Sequence, residues 1–440
     1  MFFSPRAGQL AGLLALLLST TQLQAEGLPQ VPSTPKNLII MVGDGMGPAY
    51  TSAYRLYMDD PATEEVEETV FNRLLVGNAS TFPARESGYV TDSAAAATAL
   101  SCGIKTYNGA IGVDSQKQPV PTLLERAKQA GLSTGVAVTS QVNHATPAAF
   151  LSHSESRQSY DELAQSYLAT DAEVILGGGQ KYFPESLRDK FRAKGYQVLT
   201  QMDALEQVNK PDVLGLFADI HLPWVQDEPE ADRLATLTRK SLELLSQNNK
   251  GFVLLVEGSM IDWAGHGNDI GAAMGEMHGF ANAVEVAEQF VRQHPDTLLV
   301  VTADHSTGGL TIGANSEYRW NPEAIRGMTA TAESIAKQAI ATDQWQQAVT
   351  TGLGFTPSQQ EWLQLDQARM QGQDAMTKAL RTTVNSHSNT GWTTGGHTGV
   401  DVQVFAAGAG SGLFRGHQDN TDIANKLASL LPSPTPAKVQ

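Results

Sequence analysis

Asp262 and His266 stand four residues apart, so on a helix they share one face and offer an oxygen and a nitrogen to the same ion. Glu257 lies five residues before Asp262, within reach of a neighbouring ion. Asp304 and His305 are adjacent in what reads as a tight loop, and Asp44 sits between glycines, where the backbone can fold closely around a ligand. His397, in TTGGHTGVD, again follows glycines. Imidazole mixed with carboxylate suits zinc, whereas oxygen-only sets suit magnesium. Ser93, in GYVTDSAAAATAL, falls where a polar stretch runs into alanines, at the first turn of a helix. Backbone N–H groups and the helix dipole favour an anion there. Taken locally, Asp92 or Ser93 is simply a helix cap. No histidine adjoins Ser93 in sequence to act as a base, so activation by a metal is the economical reading.

Apolar runs at 38–42, 135–138, 252–256 and 297–301 are bounded by turn residues and read as buried strands, with helix-like stretches such as 121–130 and 232–247 between them. That alternation predicts an α/β fold with a large, mostly parallel central sheet and helices on both faces. The chemistry-bearing residues follow the carboxyl ends of these runs. Asp44 follows the first and His144 and Thr146 the second; Glu257, Asp262 and His266 follow the third, Asp304 and His305 the fourth. Open α/β sheets bind ligands in the crevice at that edge. One Asp after one strand is most often a turn or cap, but four such deliveries to one edge argue for a metal centre. From about 312 to 389 the texture changes to Ala-, Gln- and Thr-rich helical runs (331–341, 358–370 and 374–382), read as a helical insertion packed beside the sheet. A strand-like run follows at 401–406, and the Pro-rich tail 432–440 reads as disordered.

Residues 10–18, LAGLLALLL, follow Arg6 and lead through small and polar residues to Ala25. Nine residues are too few to span a bilayer but suit a secretory signal peptide over 1–25, leaving 26–440 as one catalytic domain. The expected location is therefore secreted, periplasmic or extracellular. Removing 1–25 takes away one Arg and no acid, moving the net charge from −16 to −17. An acidic chain argues against nucleic acid or an anionic membrane as partner. The single cysteine, Cys102, excludes an intramolecular disulfide and a cysteine zinc cage.

In order, the segments DGMG, TDSAAAATA, VNHATPAAFLSHSESR, VEGSMIDWAGH, VTADHSTGG and GGHTG resemble the signature segments of the alkaline phosphatases, and the likeness runs from about 37 to 407. The resemblance implies the three-layer sandwich of that family, small phosphate monoesters as substrates, two Zn2+ and one Mg2+ per subunit, and a homodimer. It implies that Ser93 becomes phosphorylated. Asp262, His266 and His397 match the ligands of one zinc. Asp304 and His305, with Asp44 bridging, match those of the second, which also takes the Ser93 oxygen. Thr146 and Glu257, with Asp44, match the magnesium site. Arg157, thirteen residues after His144, falls where the family grips phosphate, and Asp92 resembles the acid that orients it. His144 and Trp263 stand beside the magnesium and phosphate, where other members carry Asp and Lys or two His; this His/Trp pair resembles that of some bacterial members. Two other readings compete. One is a phosphodiesterase or sulfatase of the same superfamily, the other a non-catalytic exported protein that binds metal or phosphate.

Overall fold

Seven consecutive buried residues, NLIIMVG, make β1 (Asn37–Gly43). Such a run cannot leave one side in water, so β1 must lie mid-sheet with both faces covered. The computed structural model, which describes residues 34–228 and 231–433, places it there. The signal peptide expected over 1–25 and most of the tail lie outside the described residues.

The remaining strands of the ten-stranded sheet are β2 (Leu75–Ser80), β3 (Ser133–Gln141), β4 (Val174–Gly178), β5 (Gln197–Leu199), β6 (Val213–Leu216), β7 (Phe252–Gly258) and β8 (Thr297–Thr302), then β13 (Val402–Gly408) and β14 (Gly416–Asp419). Two small ribbons stand apart, β9 (Ser306–Thr307) with β12 (His397–Thr398), and β10 (Thr311–Ile312) with β11 (Thr390–Gly391). The order across the sheet is β14-β2-β13-β8-β1-β7-β3-β4-β6-β5. Only β13 runs antiparallel to its neighbours, so the sheet is mostly parallel, as the alternating pattern predicts. All residues of β1, β3, β7 and β8 are buried. Each fully buried Val, Leu or Ile contributes about 1.5–3 kcal/mol of transfer free energy to holding these four strands together.

Register turns this core into a platform. Val42 lies opposite Glu257 on one side and Thr302 on the other, and Val138 lies opposite Glu257. One level therefore crosses β8, β1, β7 and β3. Asp44 and Asp304 each follow that level by two residues, so strand pairing alone brings them to one rim.

The helix Ser93–Cys102 is buried along its whole length, which its alanines permit by letting neighbours approach closely. Asp92 caps it by accepting from the Ala95 N–H. Cys102, its last residue, is buried, and that burial pushes the thiol up to about 12. The run read as a strand at 401–406 is β13, shifted by one residue at its start and two at its end.

Between β10 and β11 lie the helices Ala332–Ala341, Trp345–Leu353, Gln359–Gln371 and Gln373–Ser388. The pairing Thr311↔Gly391 and Ile312↔Thr390 brings the chain out and back side by side. Arg326 ties this segment to the body by donating to the Leu56, Tyr57 and Asp59 carbonyls.

Candidate active site

At the sheet centre, β1 delivers Asp44 and β8 delivers Asp304 and His305, all fully buried. Gly45 closes the turn with φ +73°, and a Cβ there would lie 2.8 Å from the Asp262 Cα, so only glycine fits. The Gly45 N–H donates to Asp304 Oδ1 at 3.0 Å. His305 Nε2 is 3.4 Å from Asp44 Oδ1, 3.2 Å from Asp304 Oδ2 and 3.1 Å from Ser93 Oγ. The Thr307 hydroxyl donates to Asp262 Oδ1, so it accepts from His305 Nδ1, 3.3 Å away. That places the ring proton on Nδ1 and leaves the Nε2 lone pair facing Ser93 and the two carboxylates. Burial lowers His305 to about 4 and keeps the imidazole neutral.

A second group lies farther out, where the helix Met260–His266 carries Asp262 and His266 on one face. The β9–β12 ribbon, with His397 opposite Thr307, brings in His397 from far along the chain. Asp262 Oδ2 is 3.2 Å from His266 Nε2, and Asp262 Oδ1 is 3.5 Å from His397 Nε2. Both imidazoles are oriented by main-chain carbonyls: His266 Nδ1 donates to Gly395 at 2.7 Å, His397 Nδ1 to Thr91 at 2.8 Å. Each Nε2 is thereby turned inward, as in metal-binding histidines. His397 also stacks on His305, with ring centroids 3.6 Å apart. Burial would raise Asp262, but the His266 hydrogen bond and the neighbouring imidazoles hold it well below the usual carboxylate range. The same contact raises His266 to about 9.

A third group joins Asp44, Glu257 and His144, whose ligand atoms lie within 4.8 Å of one another. Glu257 Oε2 accepts from the Ser259 hydroxyl at 2.6 Å, while Glu257 Oε1, Thr146 Oγ1 and His144 Nδ1 are buried without hydrogen-bond partners. The sequence placed His144 beside this group; the structure brings one of its ring nitrogens into it. Arg157 is half-buried in a loop. Its Nη1 donates to Asp92 Oδ2 at 3.0 Å, and its Nη2 lies 3.3 Å from His144 Nε2. Burial, then the Arg157 charge, lowers His144 to about 3, so it faces the guanidinium as a neutral acceptor. Trp263 packs edge-on between His144 and His221, at 5.7 and 5.0 Å. Sequence reading missed His221, Ser259, Thr307 and the carbonyls of Thr91 and Gly395. Only Thr307 carried a signal, as a hydroxyl two residues from His305 within VTADHSTGG.

The donor set fits metal ions. Four carboxyl groups (Asp44, Glu257, Asp262 and Asp304) are buried together, and both oxygens of Asp44 lack hydrogen-bond partners, as do Asp304 Oδ2 and Glu257 Oε1. Crowding in low dielectric raises three of them: burial first, then Asp304, pushes Asp44 well up, and burial takes Asp304 to about 6 and Glu257 to about 8. Buried like charges of this kind are relieved by bound cations.

A family model described as alkaline phosphatase matches residues 35–432. The chain belongs to the alkaline phosphatase family. Its relatives include alkaline phosphatase 3 of Bacillus subtilis, 41% identical over 415 residues that span 90% of this chain and 89% of that protein. Among solved structures, the cold-active alkaline phosphatase of a psychrophilic Shewanella is 63% identical, with a TM-score of 0.89 over 90% of this chain and all of that one. The alkaline phosphatase of the Antarctic bacterium TAB5 is 27% identical, with a TM-score of 0.70 over 90% of this chain and 98% of that one. Membership makes the chain an alkaline phosphatase, a phosphomonoesterase, with a fold that matches its family and candidate metal-binding groups at its centre.

Proposed function

We propose that the chain hydrolyses phosphate monoesters through a phosphoserine formed on Ser93. The observation that carries this reading is the position of Ser93 Oγ. The residue is 1% exposed at the first turn of a buried helix, and its hydroxyl meets His305 Nε2 where the free oxygens of Asp44 and Asp304 converge.

Two Zn2+ suit the sets Asp262–His266–His397 and Asp44–Asp304–His305, the latter with the Ser93 oxygen, and one Mg2+ suits Asp44, Thr146 and Glu257. When bound, these ions lower the pKa of a hydroxyl or water and neutralise charge on the entering and departing oxygens. The chain's own groups do the rest. Asp92 caps the Ser93 helix and holds Arg157, so one carboxylate fixes nucleophile and anion binder together. The Arg157 fork grips two non-bridging phosphate oxygens. Ser93 Oγ forms the new P–O bond as the substrate alcohol departs, and water then attacks the phosphoserine and releases phosphate. Two in-line displacements give net retention at phosphorus and ping-pong kinetics. With an imidazole and an indole at His144 and Trp263, no Lys reinforces Arg157, which favours easy release of phosphate.

We propose further that residues 1–25 direct export, so that the enzyme works in the periplasm or outside the cell, and that it acts as a homodimer. The apolar run 10–18 supports the first statement, and likeness to the family supports the second. No helix among the described residues is long and apolar enough to cross a membrane.

Hydrolysis of p-nitrophenyl phosphate by wild type and Ser93→Ala tests the mechanism. Wild-type activity is expected to vanish with chelator and to return with zinc plus magnesium, while Ser93→Ala stays inactive under all conditions. Rates on the diester and sulfate analogues are expected to be far lower. Full zinc-dependent activity in Ser93→Ala overturns the assignment.

A further inference from the structure

His266 is the exposed ligand of the outer group, with 42% of its side chain open to solvent, so core packing does not hold it. We infer that the helix Gln373–Ser388, the last of the segment between β10 and β11, holds it, with Arg381 and Asn385 as positioning residues for the Asp262–His266–His397 metal site. This rests on the reading that those three side chains bind an ion.

Arg381 Nε donates to Asp269 Oδ2 at 2.9 Å, a carboxylate 3% exposed. The other Asp269 oxygen caps the core helix Ile270–Gln293 by accepting from Ala272 N. The Arg381 guanidinium also lies against Gly267, the residue directly after His266; a Cβ there would come within 2.9 Å of its Cζ, so the two pack in close contact. One turn along the helix, Asn385 Nδ2 donates to the Asn268 carbonyl at 2.8 Å. Asn268 has φ +50°, a conformation that costs free energy and persists where its surroundings hold it.

Asn385 also reaches the opposite wall of the site. Its Oδ1 accepts from Trp392 Nε1 at 3.1 Å. The Trp392 indole lies over Gly308 and edge-on to Tyr50, three residues before Gly395, whose carbonyl orients His266. The turn that follows His266 and the loop between β11 and β12 that aims its ring thus meet at one amide. The inner ligand His305 has no comparable dependence, because it is fully buried and fixed by Thr307. A helix serving only as bulk would support the whole fold; this one touches both walls around a single ligand.

The test is zinc uptake by the full chain after chelator treatment, measured by competition with a colorimetric chelator for wild type, Asn385→Ala and Arg381→Ala. Wild type is expected to take two tight zinc equivalents. Each variant is expected to keep one at wild-type affinity and to weaken the other by about tenfold to a hundredfold, the usual effect of losing a group that orients a ligand. Excess zinc is expected to restore kcat in both. Two unchanged affinities in both variants overturn the clamp. So does a general fall in melting temperature that excess zinc fails to reverse, since that marks a plain structural role. A wild-type chain that takes up no zinc sinks the metal reading itself and is told apart by that control.

Discussion

Two of the candidate metal groups of this site are built by opposite means. The inner one, Asp44, Asp304 and His305, hangs directly from β1 and β8, and solvent reaches none of its three residues. The outer one, Asp262, His266 and His397, is assembled from a short helix and a two-residue ribbon, and His266 projects into solvent. The inner geometry is therefore a by-product of strand register, which hydrophobic burial fixes across the four central strands. The outer geometry depends on carbonyls, loops and a distant helix. A rigid ion site beside an adjustable one suits chemistry in which a hydroxyl must be held while an alcohol leaves and a water enters.

Removing a ligand on each side is the largest way to break this contrast. His305→Ala is expected to lower kcat/KM by roughly 10⁴-fold or more with no rescue by added zinc. His266→Ala is expected to lose about 10²–10³-fold and to recover in part at high zinc. Steady-state kinetics over a zinc titration decides, and equal losses with equal rescue would erase the distinction.

A second test strips the metals and varies pH. Asp304 and Glu257 are raised to about 6 and about 8, chiefly by burial. A carboxyl raised on folding stabilises fully below its unfolded value near about 4 and loses that contribution as pH climbs through the folded value. His305 and His397, lowered to about 4 by burial, work in reverse: their contribution is present above roughly 6.5 and is lost as pH falls through the folded value. The metal-free protein should thus be most stable between roughly pH 4 and 6.5 and weaken toward pH 9 by on the order of a few kcal/mol. Zinc and magnesium should restore the alkaline side. Calorimetry showing a flat metal-free profile from pH 5 to 9 would contradict the crowding of carboxyls at the inner and third groups.

Smaller effects sharpen the picture at the anion. Arg157→Ala removes charge-assisted hydrogen bonds worth about 1.5–3 kcal/mol, so KM and the phosphate inhibition constant should rise about tenfold to a hundredfold, with kcat moving less. Trp263→Lys adds a cation near phosphate, worth about 1 kcal/mol, and should tighten phosphate inhibition about fivefold while slowing release. Unchanged phosphate inhibition would return Trp263 to a packing role between His144 and His221.

The inner group was legible because its cause is legible. Continuous apolar runs mark central strands, and the first polar residues after them mark the rim. Asp262 and His266 could be read from spacing alone, since a helix turns four residues into one face. His397 could be placed only through likeness to a family, because a two-residue ribbon has no periodicity. The Thr91 and Gly395 carbonyls left no trace, since every residue has one. The outermost strands β5 and β14, and β2 beside β14, escaped for a related reason: few of their residues are buried, so burial does not write an apolar run into them. His144 was seen beside the third group, but its entry into that group depends on where the turn after β3 points the ring.

The central claim is that a hydroxyl at the inner rim carries the phosphoryl group. Acid quenching during turnover of p-nitrophenyl phosphate, followed by peptide mapping by mass spectrometry, reads it directly. The account predicts one phosphoryl group per chain on the peptide containing Ser93. A phosphoryl group on another residue, or a quenched enzyme with none and inversion at phosphorus, would contradict it.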